Sequence, residues 1–389
     1  MLKNINRSFK SFVRNSITYF LKFIAPKAKG CQLVENDSPV ILYIILAFRG
    51  DIVMATPTFK AIKNRWPNSK LIVWVRPQLS DMEKTMPFVD EVFTSWDFSL
   101  LFWKLPIELL KISKLKKSVL SIRNKKINIC VDETGCALTA IVCFLARIPY
   151  TIASNDQGFG ALADECIEPD ATKNLIEKRL INVKTIVGEG HSWKPIVNIS
   201  NVNICRILEE ASLLDTSYIT IQPFCGWGAK NWSLSHWFKL CEILYNQLSY
   251  PIVIIGQESD KLLIGDLFLS CKAKIVNTCG QLSIDSSSAL ISAAIIHIGG
   301  DSFGRHVATT TNNKSITLYG PTNPIISGYL DSNHIAIKSN IGCEPNRFQQ
   351  YCDADAGRKC KNIMCIDSIT PEAVAESAFK LLNIDFIEK

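Results

Sequence analysis

The residues best suited to chemistry lie together between Gly299 and His306, in the sequence GGDSFGRH. After two glycines, Asp301 supplies an acid, Ser302 a hydroxyl and His306 an imidazole. The stretch follows an apolar run and precedes a predicted helix, so backbone N–H groups and the positive end of a helix dipole would be open to an anion. This pattern predicts a site for a phosphate-bearing ligand whose sugar hydroxyls also need partners. For His306, stabilising a helix end is the competing interpretation.

Asp51 is a second candidate for a catalytic group. It follows the apolar run VILYIILAF at residues 40–48, next to Gly50 and near the start of a predicted helix. A carboxylate there could take a proton from a substrate hydroxyl as a general base. It could also serve as a helix cap, which is a common role for Asp. Position alone does not decide between the two roles.

Three further residues occupy loops that follow predicted strands. Lys230, in the loop PFCGWGAKNW, could reach phosphate oxygens as a point charge. Glu258 and Asp260 come after Gly256 and the next predicted strand, where an acid often accepts hydrogen bonds from ribose hydroxyls. A solvated loop lysine, and acids that only increase solubility, are the competing interpretations.

All these residues belong to a repeating pattern of strands and helices. Apolar runs of strand length alternate with helical stretches in two series, which start at Val40 and at Tyr218. The pattern predicts an α/β fold with two Rossmann-like, doubly wound domains facing a central cleft, with ligands beyond the carboxyl ends of the strands. Residues 163–187 are expected to be helical. The helix at residues 371–382 is expected to pack on the first domain.

Length and composition set the broad class of protein. A chain of 389 residues is too long for one ordinary core, so two domains are expected. The net charge of +7 fits an acidic partner such as a phosphorylated ligand or an anionic membrane surface. We expect four segments: an N-terminal helix and linker at 1–36, domains at 37–210 and 211–370, and a C-terminal helix at 371–389.

The 14 cysteines fall into two groups. Ten are scattered singly through apolar or helical stretches, which suits a reducing compartment better than a disulfide scaffold. The other four are Cys343, Cys352, Cys360 and Cys365. They contain no CxxC pair, so the usual zinc-ribbon spacing is absent. A structural metal, either zinc or an iron–sulfur cluster, stays open for them beside free thiols or an incidental disulfide.

The N-terminal segment is basic and amphipathic. Between residues 3 and 24, apolar side chains at helical spacing lie beside a stripe of Lys and Arg. This pattern is typical of a helix in a membrane interface, although packing on the protein's own core gives the same periodicity. No apolar run approaches the ~20 residues that span a bilayer, and Arg14 and Lys22 interrupt any signal-peptide core. The sequence therefore predicts a cytoplasmic protein.

Taken in order, these motifs resemble the lipopolysaccharide heptosyltransferases, the ADP-heptose-using glycosyltransferases of family 9 with the GT-B fold. The resemblance covers residues 38–382 and rests on four stretches, which are RGDIVMATPTFKAIKNRWPNSKLIVWVRP, PFCGWGAKNWSLSHWFKLCEIL, IIGQESD and GGDSFGRHVATTTNNKSITLYGPTNP. It implies an N-terminal domain that binds the acceptor and a C-terminal domain that binds a nucleotide sugar.

The resemblance also implies roles for individual residues. The family motif GD-x-x-x-x-TP falls on residues 50–57, so Asp51 resembles the catalytic base. Its neighbours on the acceptor side are Arg49, Gly50 and Thr56. Lys230 would bind the donor diphosphate, and the donor site would also include Glu258, Asp260, Asp301, Ser302, Gly304 and His306.

The sequence departs from the family pattern within the donor segment. The family's G-N-D-S/T-G-P-x-H falls on residues 299–306, where Phe303 replaces glycine and Gly304 replaces proline. A large side chain where backbone usually approaches phosphate could narrow the site or change the donor.

The implied reaction is an inverting transfer to a lipid-anchored oligosaccharide. Asp51 would deprotonate an acceptor hydroxyl, and the nucleoside diphosphate would leave towards Lys230, Ser302 and the helix that carries His306. Fixed donors can stabilise that leaving group, so no cofactor or metal is required. The implied partners are a nucleotide-sugar donor, that acceptor and an anionic membrane surface, but no nucleic acid. The basic N-terminal helix would hold the protein at the cytoplasmic face of the inner membrane.

Two alternatives stay open. One is a GT-B transferase that uses a different nucleotide sugar, as Phe303 suggests. The other is a membrane-associated binding protein that kept the fold and lost turnover. The presence of Asp51, Lys230, Asp301 and His306 argues against the second alternative.

Overall fold

The computed structural model describes residues 37–95, 112–155, 158–199, 204–210, 212–339 and 364–384. Over these ranges the chain forms two compact units, which divide at residues 171–175 and again between Trp193 and Lys194. Each unit is built on one six-stranded sheet in which all paired strands run parallel. The predicted α/β class with two doubly wound domains is therefore confirmed.

The first unit begins with a buried strand formed by the apolar run after Pro39. Its strands are β1 (Val40–Ile44), β2 (Lys70–Val75), β3 (Glu91–Thr94), β4 (Ile129–Asp132), β5 (Tyr150–Ser154) and β6 (Glu165–Ile167). Its helices are α1 (Arg49–Arg65), α2 (Ile112–Asn124), α3 (Ala137–Ala146) and α4 (Leu175–Val187). The strand order β3-β2-β1-β4-β5-β6 places β1 and β4 side by side in the middle of the sheet. Their carboxyl ends are the switch point at which ligands of such sheets bind.

Residues 163–187 do not form one helical stretch, so that prediction was wrong. Glu165–Ile167 pair with β5 as an edge strand, and α4 begins only at Leu175. The edge strand is short, charged and half-exposed, so its composition carries no strand signal. Pairing with its neighbour decides its conformation.

Alternate residues of β1 face the two sides of the first sheet. Leu42 and Ile44 join the apolar cluster that α2 and α3 complete on one face. Tyr43 faces the other way, and its ring meets Phe59 of α1 edge-on with centroids 5.1 Å apart. Because both faces are covered, β1 is apolar throughout, as is typical of strands in parallel sheets.

The second unit repeats the topology of the first. Its strands are β7 (Ile219–Gln222), β8 (Ile252–Ile254), β9 (Ile275–Asn277), β10 (Ile296–Gly300), β11 (Lys314–Tyr319) and β12 (His334–Lys338). Its helices are α5 (Ile204–Glu210), α6 (Leu234–Leu248), α7 (Glu258–Leu269), α8 (Ile284–Ala293), α9 (Phe303–Ala308), α10 (Pro324–Ser327), α11 (Met364–Asp367) and α12 (Pro371–Leu382). The order β12-β11-β10-β7-β8-β9 makes β7 and β10 the central pair.

The C-terminal helix α12 packs on the second unit, and the expectation that it packs on the first domain was wrong. Its apolar face, including Val374 and Phe379, joins the cluster of α6 and the second sheet. The indole N–H of Trp232 donates to the carbonyl of Ile369 at 2.9 Å, which fixes the segment before α12. The apolar stripe of α12 matches this face, and sequence spacing alone does not identify which sheet a helix covers.

Candidate active site

Asp51 lies in the first turn of α1, beside the carboxyl end of β1. Its Oδ2 accepts a hydrogen bond from the backbone N–H of Phe48 at 3.1 Å, so the carboxylate caps the helix. Its Oδ1 lies 3.3 Å from Nη2 of Arg179 in α4. The side chain is 24% exposed. Capping therefore fixes the orientation of the carboxylate, and solvent access leaves it able to act as a base.

Arg179 joins Asp51 to a second carboxylate. Its Nε donates to Oε1 of Glu133, the residue after β4, at 2.5 Å. The hydroxyl of Tyr43 donates to the other oxygen of Glu133. Burial raises the pKa of Glu133, although the charge of Arg179 opposes that rise. Burial, together with the negative charge of Glu133, raises the pKa of Tyr43 as well, so the phenol stays a hydrogen-bond donor.

A third acid ends the neighbouring strand. Asp132, the last residue of β4, is buried, and its Oδ1 accepts a hydrogen bond from the N–H of Gly135 at 3.0 Å. Burial raises the pKa of Asp132 to about 6, and the adjacent Glu133 adds to the rise. The carboxyl ends of β1 and β4 therefore carry three acids, of which two are tied to the buried Arg179.

The predicted acceptor-side residues share α1 with Asp51. Arg49 forms a surface ion pair with Asp81 at 2.7 Å, whereas Gly50 is buried. Thr56 is also buried, and its hydroxyl donates to the carbonyl of Val53 at 2.7 Å within the helix. Of the three, Arg49 has the side chain that solvent reaches. Their role in acceptor binding stays a prediction.

In the second unit, Lys230 and Asp301 meet at the ends of the two central strands. Lys230 ends a short 3-10 turn after β7, and Asp301 directly follows β10. The Lys230 ammonium donates to Oδ2 of Asp301 at 3.1 Å and to its backbone carbonyl at 2.9 Å. The lysine side chain is 15% exposed and that of the aspartate 4%. The structure thus brings two predicted site residues together as an ion pair.

A second cation, Arg305, holds the other oxygen of Asp301. Its Nη2 donates to Oδ1 of Asp301 at 2.8 Å and to the carbonyl of Ser327 at 2.5 Å. Nε2 of His306 lies 3.9 Å from the same Oδ1. Burial by itself raises the pKa of Asp301, but Lys230, Arg305 and His306 together hold it well below its ordinary value. Asp301 is therefore a carboxylate throughout the neutral range.

Gln222, the last residue of β7, organises the loop after β10. Its Oε1 accepts hydrogen bonds from the Ser302 hydroxyl at 2.9 Å and from the Gly304 N–H at 3.0 Å. A Cβ at residue 304 would collide with that oxygen, so the close approach depends on glycine. The Gly304 amide is therefore satisfied by Gln222. Sequence analysis missed Gln222, although a polar residue that ends a buried strand was a usable signal.

Phe303 and His297 belong to the packed interior around this loop. Phe303 is half-buried and packs against the apolar cluster that α8, α9 and the strands form on one face of the second sheet. His297 is buried within β10, and its Nδ1 lies 3.0 Å from Oγ1 of Thr220. Burial lowers the pKa of His297 to about 3, so this imidazole is neutral.

Glu258 and Asp260 begin α7, directly after β8. Oδ2 of Asp260 accepts a hydrogen bond from the N–H of Gln257 at 2.8 Å and so caps the helix. Gly280, with φ +72°, approaches Glu258 so closely that a Cβ would overlap it. Since β10, β7 and β8 are neighbours, the predicted donor residues follow three adjacent strands. Contact of these acids with a ribose stays a prediction.

The predicted metal and membrane sites fall largely outside the described residues. Cys343, Cys352 and Cys360 lie there, as does the amphipathic segment 3–24, while Cys365 is half-buried in α11. Over the described ranges, no group of three or more His, Cys, Asp or Glu could hold a metal ion. No helix in that part of the chain is long and apolar enough to cross a membrane. The cysteine metal site and the interfacial helix stay predictions.

Comparison with known proteins shows what this chain is similar to. Residues 189–354 match the model of glycosyltransferase family 9, the heptosyltransferases. Lipopolysaccharide heptosyltransferase 2 of Salmonella typhimurium is 24% identical over 367 residues, which cover 88% of this chain and 98% of that relative.

Two solved structures share the fold. A family 9 glycosyl transferase from Veillonella parvula has a TM-score of 0.75 at 18% identity and covers 90% of this chain and 99% of its own. The E. coli ADP-heptose lps heptosyltransferase II has a TM-score of 0.71 at 20% identity and covers 88% of this chain and 98% of its own. The predicted GT-B fold class is thereby confirmed. The sequence matches and the motif order together support a glycosyltransferase that is similar to those of family 9.

Proposed function

We propose that this glycosyltransferase moves a heptose from ADP-heptose to a hydroxyl of a lipopolysaccharide core, with inversion at the anomeric carbon. The observation that carries the proposal is the cluster of Lys230, Asp301 and Arg305, in which two cations surround one carboxylate. The three side chains carry one net positive charge, and the Lys230 ammonium is partly exposed to solvent. This arrangement suits a diphosphate leaving group. The sugar, nucleotide and acceptor come from the names of the relatives.

Asp51 is the proposed general base. Its carboxylate is held by the Phe48 N–H and by Arg179, so one orientation is maintained without substrate. In the proposed step the carboxylate takes the proton of the acceptor hydroxyl while that oxygen bonds to the anomeric carbon. The bond from that carbon to the diphosphate oxygen breaks, and its electron pair leaves with ADP.

Lys230 is the proposed partner of the leaving group. Charge grows on the diphosphate as its bond to the sugar breaks, and a fixed ammonium stabilises this charge without reorganising. Ser302, Gly304 and His306 follow β10 beside Lys230 and are proposed as further donor-binding residues. Glu258 and Asp260 are proposed to bind the ribose hydroxyls. Under this proposal the first domain binds the acceptor and the second binds the donor.

A different nucleotide sugar is the second candidate, and Phe303 was the reason to consider it. The Phe303 side chain packs against the apolar cluster of the second sheet. That packing supplies a structural role for the phenylalanine, so its presence gives less support to a different donor than the sequence suggested.

A donor screen tests the proposal. The full chain is incubated with a heptose-free lipopolysaccharide core and, in separate reactions, ADP-heptose, ADP-glucose, UDP-glucose and GDP-mannose, followed by mass spectrometry of the core. We expect a mass gain of one heptose with ADP-heptose alone. Product with a UDP- or GDP-sugar alone would refute the donor assignment. Binding of ADP-heptose without product from any donor would favour the non-catalytic alternative.

The N-terminal segment gives the proposed location. In segment 3–24, apolar residues at helical spacing beside a stripe of Lys and Arg support peripheral attachment to an anionic bilayer, where a lipid-anchored acceptor would lie. Removal of residues 1–28 is expected to release the protein from anionic liposomes into the supernatant. Equal sedimentation of the full and shortened chains would contradict this location.

A further inference from the structure

Asp301 is held from two sides by cations that differ in access to solvent. Lys230 binds its Oδ2 and is 15% exposed, whereas Arg305 binds its Oδ1 and is 1% exposed. The guanidinium also donates to the carbonyl of Ser327 and lies with Cζ 5.8 Å from the ring centroid of Tyr319. Arg305 is therefore enclosed by protein, and a ligand that reaches Lys230 does not reach Arg305.

The net charge of Lys230, Asp301 and Arg305 determines how strongly the Lys230 ammonium attracts an anion. Lys230 with Asp301 alone would form a neutral ion pair, and the field of the ammonium outside the pair would be largely cancelled by a carboxylate 3.1 Å away. Arg305 supplies a second positive charge, so Lys230, Asp301 and Arg305 together carry +1 instead of zero. Without Arg305, the buried Asp301 carboxylate would also hold Lys230, its remaining cation, more tightly.

We propose that Arg305 is a positioning residue that neutralises Asp301 and so leaves the ammonium of Lys230 available to the diphosphate of a nucleotide donor. This inference rests on the proposed function, because it names the group that makes Lys230 effective. Arg305 acts through Asp301 and does not touch the ligand. The arginine thus sets diphosphate affinity from inside the protein core.

Calorimetric titration of the full chain with ADP and with adenosine tests the proposal. Arg305→Met keeps the apolar stem and removes the charge. We expect ADP to bind on the order of 10- to 100-fold more weakly, the effect of one unit charge several Å away at an effective dielectric constant of about 20. Adenosine carries no phosphate, so its affinity is expected to be unchanged. Arg305→Lys is expected to recover most of the ADP affinity.

A double variant separates this charge effect from a merely structural role. Asp301→Asn in the Arg305→Met background removes the carboxylate that captures Lys230 and returns the cluster to +1. We expect it to bind ADP more tightly than Arg305→Met. If Arg305 only stabilised the core, the double variant would bind ADP more weakly than Arg305→Met does. The double variant leaves no buried carboxylate without a cation. If Arg305→Met does not fold, the double variant is compared with the unmodified chain, and we expect its ADP affinity to lie within about 10-fold of the unmodified value because both clusters carry +1.

Arg206→Met on the exposed face of α5 is the matched control and is expected to bind ADP as the unmodified chain does. Arg305→Met with unchanged ADP affinity would refute the inference and leave the proposed function intact. A double variant that binds ADP no better than Arg305→Met would also refute it. If the unmodified chain bound neither ADP nor another nucleoside diphosphate, the proposed function would fail, and this inference with it.

Discussion

In both units an aspartate lies beside the carboxyl end of a central strand and pairs with a buried arginine. In the first unit Asp51 pairs with Arg179, and in the second Asp301 pairs with Arg305. The third member of each cluster differs. Glu133 shares the arginine of the first unit, so that cluster carries one surplus negative charge, whereas Lys230 joins Asp301 and gives the second cluster one surplus positive charge.

The carboxylates respond to these surroundings in opposite ways. Burial raises the pKa of Glu133, and it raises that of Asp132 to about 6. Asp301 is just as deeply buried, yet its cations hold its pKa well below the ordinary value. The same topology thus provides an acid-rich strand end that suits proton abstraction and a cation-rich one that suits phosphate binding.

The largest expected effect is on turnover, in the acid-rich cluster. Asp51→Asn keeps the shape of the side chain, but an amide does not accept the acceptor proton. We expect the transfer rate with saturating donor to fall by about 10²- to 10⁴-fold, the usual contribution of a general base. Glu210→Gln, at an exposed position of α5, also converts a carboxylate to an amide and is expected to leave the rate unaltered. A rate for Asp51→Asn within a factor of three of the unmodified rate would remove Asp51 from the mechanism.

The next effect concerns stability and compares the two arginines. Arg179→Met removes the cation of Glu133 and Asp51, and among the described residues neither acid has another ion pair. We expect chemical denaturation to show a loss of about 3–5 kcal/mol, as for other broken buried pairs. Arg305→Met should cost less, because Asp301 keeps Lys230. Glu133→Gln should recover part of the loss in Arg179→Met by removing the stranded carboxylate. Equal losses for the two arginines would show that the third member of each cluster is unimportant.

The smallest expected effect is a pH dependence from Asp132. Its folded pKa of about 6 lies above the ordinary 3.8, so the folded chain holds that proton more tightly than the unfolded chain does. The contribution of Asp132 to stability therefore falls as the pH rises from about 4 to about 6 and is lowest above that window. Asp132→Asn does not titrate, so its stability relative to the unmodified chain should increase over that window, by at most about 3 kcal/mol. Thermal unfolding at pH 4, 5, 6 and 7 measures this difference, and a constant difference would contradict the assignment.

The sequence predicts the strands that carry the sites better than it predicts the contacts within the sites. A continuous apolar run marks β1, and mainly apolar runs mark β10 and β11, because strands covered on both faces are rich in apolar residues. Asp51, Lys230 and Asp301 are predicted because they come soon after β1, β7 and β10. β6 is missed because an exposed edge strand shows no apolar pattern.

The sequence does not predict the side chains that contact the site residues. Arg179 lies 128 residues after Asp51, and Gln222 lies 80 residues before Ser302. Pairings at such separations depend on which strands are neighbours, and local periodicity does not encode that. Arg305 lies only four residues after Asp301, yet its burial becomes evident only when α9 is packed on the sheet. Long charged side chains are mostly solvated, so the sequence favours the wrong surroundings for it.

The central claim is that proton abstraction and donor binding belong to separate clusters, and ADP affinity tests it most directly. Calorimetric titration with ADP is made on the unmodified chain, Asp51→Asn and Lys230→Gln, with Lys272→Gln on the exposed surface as the control. We expect Asp51→Asn and the control to bind ADP as the unmodified chain does, and Lys230→Gln to bind it about 10- to 100-fold more weakly, as expected for the loss of one charge-assisted contact. ADP binding that is weakened equally by Asp51→Asn and Lys230→Gln, or unaffected by Lys230→Gln, would contradict the division of roles.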